Sequence, residues 1–245
     1  MAVVTGAGSG MGRATALLLA AEGAVVAATD VAAPAAQQTA VEAVAEGGRC
    51  EAWELDVSST DQVASVVAAI AGRFGGVDIL VNNAGVSIPS AIDGDGLDAA
   101  WDKTMAVNLR GQVSMIRAVL PHLRRSDAAR IVNIASTEGL GATPYLSPYT
   151  TSKHGVIGLT RGLAVELGAS GITVNCVCPG PIRTGMTAGI PDEAKDTFAR
   201  RRVPLRRYGE PEEVAHAIVS LVLPAMGFVN GAVLVVDGGL TIKNG

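Results

Sequence analysis

Aromatic side chains make up only 3% of the sequence, from two Trp, three Tyr and three Phe, too few to build the stacking platform of a base-binding protein. Charge is sparse as well. Charged residues account for 17%, the net charge is -4 and the pI is near 5.4, which leaves no basic footprint for DNA or an anionic membrane. Long hydrophobic runs are missing: mean hydropathy is +0.36, yet no stretch approaches the roughly 18 apolar residues of a spanning helix. Histidine and cysteine are rare and scattered. His122, His154 and His216 stand apart, and Cys50, Cys176 and Cys178 lie in apolar surroundings, so no group has metal-ligand spacing. Three thiols cannot all pair, and the chain opens Met-Ala-Val-Val-Thr without a basic and then apolar leader. These absences predict a cytoplasmic protein with no metal, nucleic-acid or membrane partner.

What is present is small and apolar. Hydrophobic residues make up 49% of 245 residues, enough to bury a core that offsets the ordering entropy, and 30 glycines imply many tight turns. Short Val/Ile-rich runs recur at 2–4, 24–29, 51–55, 77–82, 130–135, 172–177 and 232–236, separated by segments with helical periodicity such as Ala14, Leu17, Leu18, Ala21. Seven strands alternating with six helical stretches read as βαβ units in one parallel sheet with helices on both faces. The expectation is a doubly wound α/β fold in one domain over residues 1–245. Pro211 followed by Glu212 and Glu213 reads as a first helical turn, and Gly168 with Gly171 brackets a helix exit. The glycine- and proline-rich stretch 180–191 reads as a mobile loop past the sixth strand, at the edge where such folds bind ligands.

Right after the first strand comes Thr5-Gly6-Ala7-Gly8-Ser9-Gly10-Met11-Gly12, followed by an amphipathic helix. Glycines there permit a tight turn, close approach of backbone to a pyrophosphate and close packing of helix on strand, while the helix start supplies N–H donors. A glycine-rich turn alone is also an ordinary βα connection; its place at a strand-to-helix junction is what points to a dinucleotide. Gly6, Gly10 and Gly12 give a wider spacing than G-x-G-x-x-G. Asp30, 24 residues after Gly6 at the end of the second strand, is positioned to accept hydrogen bonds from the adenosine ribose hydroxyls and to repel a 2′-phosphate. No Lys or Arg occurs between Arg13 and Arg49, and Ser9 in the turn is not basic, so the pattern favours NAD over NADP.

Tyr149 and Lys153 fall one turn apart on one helical face, where an ammonium favours the phenolate of a group whose reference pKa is about 10. By itself Tyr-x-x-x-Lys equally describes a surface tyrosine beside a snorkelling lysine. Ser136 follows the fifth strand directly, 13 residues before Tyr149, and Asn82-Asn83-Ala84-Gly85 follows the fourth. Both sites lie at the carboxyl edge of the expected sheet.

With these motifs in this order, the whole chain resembles the short-chain dehydrogenase/reductase family, in its single-domain branch of roughly 250 residues, which implies a Rossmann-type fold. The resemblance implies that Tyr149 is the catalytic acid/base, that Lys153 lowers its pKa and binds the nicotinamide ribose, and that Ser136 bonds the substrate oxygen. It implies that Asn108, in Val107-Asn108-Leu109, holds a water linking Lys153 to solvent. Asp56 and Val57 fall where the family recognises adenine, and Asn83, Ala84 and Gly85 where it lines the ribose side of the cleft. Pro179-Gly180-Pro181-Ile182-Arg183-Thr184 resembles the family's turn after the sixth strand, with Ile182 and Thr184 against the carboxamide. Asn108, Asp56 and Ser136 also have plainer readings, as a helix cap, a loop residue and a strand-end cap.

The implied reaction is reversible hydride transfer between a secondary alcohol and a ketone. Specificity is expected from residues 138–147 and a substrate loop at about 180–200, with Thr137, Leu140, Tyr145, Pro181 and Met186 lining the pocket. These are mostly apolar and suit a neutral substrate; Arg183 is either a carboxylate ligand or a solvent-facing loop residue. Relatives are commonly homotetramers, and small residues at Gly155, Gly158, Gly162 and Ala164 suit either subunit contacts or internal packing. The first strand begins almost at Met1, and 223–231 is a shorter connection than relatives usually carry. Three other readings share parts of the pattern. A 3-oxoacyl-[acyl-carrier-protein] reductase has every motif. Sugar-nucleotide epimerases need a substrate domain for which there is no room, and a noncatalytic NAD sensor has no need of Ser136, Asn108, Tyr149 and Lys153 together.

Overall fold

A computed structural model describes residues 1–243. Seven parallel strands pair in the order β3-β2-β1-β4-β5-β6-β7. They are β1 (Ala2–Thr5), β2 (Val25–Asp30), β3 (Arg49–Glu54), β4 (Ile79–Asn82), β5 (Arg130–Ile134), β6 (Thr173–Pro179) and β7 (Val233–Val236). Every strand read from the sequence is present, displaced by a residue or two at its ends. Successive side chains on a strand point to opposite faces, and the core divides accordingly. Ala2 and Val4 join Val26, Val81, Val132 and Val177 under helices α1 (Gly10–Ala21), α2 (Ala33–Ala45) and α8 (Pro211–Val222). Val3 joins Leu80, Ile131 and Val174 under α3 (Thr60–Phe74), α5 (Gly111–Leu123) and α6 (Ser147–Leu167) on the other side. The central strands are covered on both faces, which is why their sequences are almost continuously apolar.

Among the described residues there are eight α-helices instead of six, because two connections each hold a pair. Helix α4 (Leu97–Met105) passes through a π turn at Ala106–Arg110 into α5. Helix α7 (Asp192–Arg202) occupies the second half of the expected substrate loop. Its sequence, DEAKDTFARRR, has no apolar stripe, so a reading based on hydrophobic period passes over it. It is held by a small satellite core in which buried Tyr208 meets Phe198 edge-on, ring centroids 6.2 Å apart, beside Ala199 and Val203. Helix boundaries follow local chemistry: Gly75 and Gly171 adopt left-handed conformations after their helices, and Glu210 with Glu213 forms a capping box at the start of α8. The short 223–231 connection is pinned by Asn230, which accepts from the Val174 N–H at 2.9 Å and donates to the Ala164 carbonyl at 2.9 Å.

Strand order reverses between β1 and β4, since β2 and β3 run outward on one side and β5 to β7 on the other. The crevice at the carboxyl ends of β1 and β4 is therefore the place for a ligand.

Candidate active site

Gly6 and Gly10 take positive φ values of 63° and 51°, conformations that side chains disfavour. Gly12 is excluded from substitution by space: a Cβ there would lie 2.1 Å from the Gly6 carbonyl oxygen and 2.4 Å from Asn83 Nδ2. Asn83 braces the turn, donating to the Thr5 and Gly6 carbonyls at 2.9 and 3.1 Å, while its Oδ1 is buried and has no partner among the described residues. A Cβ at Gly6 would meet the backbone of Ala84 at 2.9 Å. Strand ends β1 and β4 thus approach as closely as backbones can, and the start of α1 opens onto a cleft of about 370 Å³. Bare backbone, a helix start and an unpartnered amide oxygen fit a dinucleotide's pyrophosphate and ribose.

Asp30 stands at the rim of this cleft. Its Oδ2 accepts from the Gly8 N–H and its Oδ1 from the Ala32 N–H, both at 2.9 Å, so the carboxylate is fixed against the glycine turn. Asp56 is fixed in turn by Ser58, whose hydroxyl donates at 2.6 Å and whose N–H donates at 2.9 Å. Those bonds, the hydroxyl's foremost, hold its carboxyl below the usual range despite partial burial, with a smaller contribution from the charge of Lys103. Arg13, the cation nearest in sequence to the turn, is paired with Glu42.

At the other end of the cleft, Tyr149 sits in the first turn of α6, 9% exposed. Burial raises its phenol pKa, a hydrogen bond with Ser136 opposes that, and the charge of Glu138 adds to it. Lys153 is buried one turn on. Its Nζ donates to the Ile134 carbonyl at 2.8 Å and lies 5.5 Å from the centre of the Tyr149 ring. Burial depresses its ammonium to about 8. The ammonium is turned to a carbonyl, and burial is the leading influence on both groups. Ser136 closes β5, and its hydroxyl accepts from the Glu138 N–H at 3.1 Å.

Asn108 is fully buried in the π turn, which brings its amide inward; such bulges recur at functional sites. Its Oδ1 accepts from the Val86 N–H and its Nδ2 donates to the Val86 carbonyl, both at 2.8 Å, with a further bond to Ser152 Oγ at 3.1 Å. Ser152 donates to the Tyr149 carbonyl at 2.7 Å, so the segment after β4 is tied to the helix that carries the tyrosine. No side chain separates Asn108 from Lys153: a Cβ at Gly85 would lie 3.4 Å from Asn108 Oδ1 and 3.6 Å from Lys153 Nζ.

The expected cofactor residues converge well. Gly6, Ser9, Gly10, Met11, Asp30, Asp56, Val57, Asn83, Ala84, Gly85, Tyr149, Lys153 and Thr184 all line the cleft, and Pro179, Gly180 and Ile182 join Ser136 and Tyr149 around an adjoining recess of about 70 Å³. Met186 reaches both. The other expected pocket residues line neither. Tyr145 is 68% exposed with φ of 66°, its carbonyl taken by the Ser90 N–H, Leu140 is exposed, Thr137 opens a 3-10 turn, and Pro181 faces a separate cavity with Leu205 and Arg207. Arg183 is claimed by Asp192, Asp196 and Glu210 at 3.3 to 3.9 Å. Reading the sequence missed Val31, Leu55, Val86, Ile134 and Ala135, which flank strand ends already identified, Val107, which adjoins Asn108, and Lys103, for which the sequence carried no signal. Among the described residues no cluster could hold a metal ion, and no helix is long and apolar enough to cross a membrane.

Comparison with known proteins agrees with this geometry. A family model described as enoyl-(acyl carrier protein) reductase matches residues 6–241. A 3-oxoacyl-[acyl-carrier-protein] reductase of Thermotoga maritima is 39% identical, over 98% of this chain and 97% of its own, and a meso-2,3-butanediol dehydrogenase of Serratia marcescens is 39% identical over 99% and 95%. The crystal structure of a levodione reductase superposes with a TM-score of 0.93 at 35% identity, covering 99% of this chain and 98% of the other. The likeness runs the full length of the chain and includes the strand ends from which the cleft is built, and on it the protein belongs to the short-chain dehydrogenase/reductase family and is a nicotinamide-dependent oxidoreductase.

Proposed function

We propose that the protein interconverts a neutral secondary alcohol and a ketone with NAD(H), using Tyr149 as the proton donor and acceptor. The observation that carries this reading is the meeting of buried Ser136 and Tyr149 at one recess beside the cleft, with the Lys153 ammonium beneath the phenol. The nicotinamide, when bound, supplies the site that gives or takes a hydride. Ser136 holds the substrate oxygen and stabilises charge developing on it. Tyr149 returns a proton to that oxygen in reduction, for which burial keeps the phenol protonated, and withdraws it in oxidation, for which the Lys153 cation and the positive charge of an oxidised cofactor favour the phenolate. Asn108, open to Lys153 across Gly85, holds the water that leads protons to solvent.

Asp30 and the pairing of Arg13 with Glu42 support NAD over NADP. Asp56 and Val57 take the adenine, and Ile182 and Thr184 the carboxamide. Met186 and the 180–191 segment border the substrate, while α7 behind them carries the remainder of the 180–200 region. Half-exposed Leu234 and Val235 on edge strand β7 support a homotetramer, and the three buried free thiols suit the cytoplasm. A second reading, reduction of 3-oxoacyl thioesters, draws on the Thermotoga maritima relative.

One assay set tests these readings: oxidation and reduction followed by NADH absorbance with secondary alcohols, ketones and 3-oxoacyl thioesters. Tyr149→Phe is expected to bind NADH normally and to lose about 10²- to 10⁴-fold in kcat. Substantial residual turnover overturns the role of Tyr149. Wild type is expected to bind NADH more tightly than NADPH, and Asp30→Ala to narrow the gap by about tenfold, in line with loss of charge-assisted bonds. Equal affinities in wild type refute the cofactor choice. Turnover confined to the thioesters with NADPH selects the second reading.

A further inference from the structure

The thirteen-residue interval between Ser136 and Tyr149 is not closed by the sheet or by the helix, yet the two hydroxyls must keep a fixed separation if both are to meet one substrate oxygen. One side chain spans it. Glu138, partly buried in the 3-10 turn Thr137–Gly139, accepts three bonds on its carboxylate: from the Thr143 N–H at 3.0 Å, from Thr143 Oγ1 at 2.6 Å and from Thr150 Oγ1 at 2.8 Å. Thr143 lies in the loop that follows and Thr150 is next to Tyr149. The backbone N–H of Glu138 meanwhile donates to Ser136 Oγ, which occupies one of its lone pairs and leaves the O–H to turn toward Tyr149 and the recess. Gly139 seats the same turn directly on α6: a Cβ there would lie 2.8 Å from the Lys153 carbonyl and 2.8 Å from Ile157 Cδ1. No cation pairs with Glu138 within 4 Å among the described residues, so its negative charge is answered by these donors alone.

We propose that Glu138 is a positioning residue for the reaction, locking the turn that carries Ser136 to the first turn of α6 and placing a fixed negative charge beside the Tyr149 phenol. The inference rests on the assignment of Tyr149 as acid/base. A carboxylate accepts all three bonds as they stand, whereas an amide has to turn its NH2 toward a hydroxyl and make that hydroxyl the acceptor. The charged and titratable groups around the phenol are Glu138 from the turn after β5, Lys153 from its own helix and, behind Lys153, Cys178 on β6. Of these Glu138 alone favours the neutral phenol, which fits it to proton donation in reduction.

The test uses the full-length protein and two readouts, the pH profile of kcat/KM for alcohol oxidation and an NMR titration of ring-labelled tyrosine with Tyr149→Phe to assign the signal. In Glu138→Gln the Tyr149 signal and the acid limb of the profile are expected to move to lower pH by half a unit or more, with the pH-independent plateau several-fold lower. Thr150→Val, which cuts one tie and leaves the charge, is expected to lower the plateau without moving the limb, and it serves as the second probe if Glu138→Gln folds poorly. A Tyr149 signal and limb that stay put in Glu138→Gln overturn the inference, and so does a wild-type plateau in Thr150→Val. Failure of the underlying reading is distinguishable, because Tyr149→Phe would then remain active whatever Glu138→Gln does.

Discussion

Lys153 shows what a buried cation costs the fold. It is buried, no carboxylate lies within salt-bridge distance among the described residues, and it donates to the Ile134 carbonyl. Because burial lowers its pKa from about 10.5 to about 8, the folded protein binds fewer protons than the unfolded chain between those values. Stability is therefore expected to rise as pH increases through that interval. Lys153→Met is expected to remove the rise, to stabilise the protein at pH 7 by about 2 kcal/mol and to abolish turnover, as denaturant melts across pH will show. Residue type and placement at a strand end or on a helical face singled out Tyr149, Lys153 and Ser136 as candidates, and the family resemblance gave them their expected roles. The hold of Asn108 on the Val86 backbone had no such signal, because it depends on a π turn that no residue in Ala106–Arg110 announces.

Elements with strong local chemistry were legible, and those held together by tertiary contacts were not. Helix α8 is of the first kind. Pro211 begins it, and Glu213 accepts from the Glu210 N–H at 2.8 Å while pairing with Arg207 at 2.6 Å through both oxygens. Together these bonds, the Arg207 pair foremost, hold the Glu213 carboxyl at about 2 against an ordinary value of 4.5. A depressed carboxyl stabilises the fold above its unfolded pKa, and that contribution is lost as pH falls from about 4.5 through about 2. The pair is exposed and screened, so Glu213→Ala is expected to cost only about 1 kcal/mol at pH 7 and little at pH 2, measured by urea unfolding at the two pH values. Helix α7 is of the second kind: its polar sequence gives no periodic stripe, and the Phe198 to Tyr208 contact that anchors it joins residues ten apart across a turn.

At the scale of the molecule, the alternation of apolar strands and helices carried the fold, including sheet type and the edge at which the site lies. Strand β7 is where that regularity stops. It ends the sheet, and Leu234 and Val235 are 36% and 37% exposed. An exposed apolar edge invites pairing with another copy, and a charge there opposes it. Light scattering is expected to give a tetramer for wild type and a smaller species for Val235→Lys; a monomeric wild type refutes the assembly. The two cores described above have a different consequence. Ile218 and Ile70 lie on opposite sides of the sheet, in clusters that share no side chain. Losses of packing on the two sides should therefore add without interacting, as they do for distant sites. The history of one face need not constrain the other, so the layer that backs the glycine turn and the layer that backs Tyr149 can each drift, be repaired and be redesigned on its own terms.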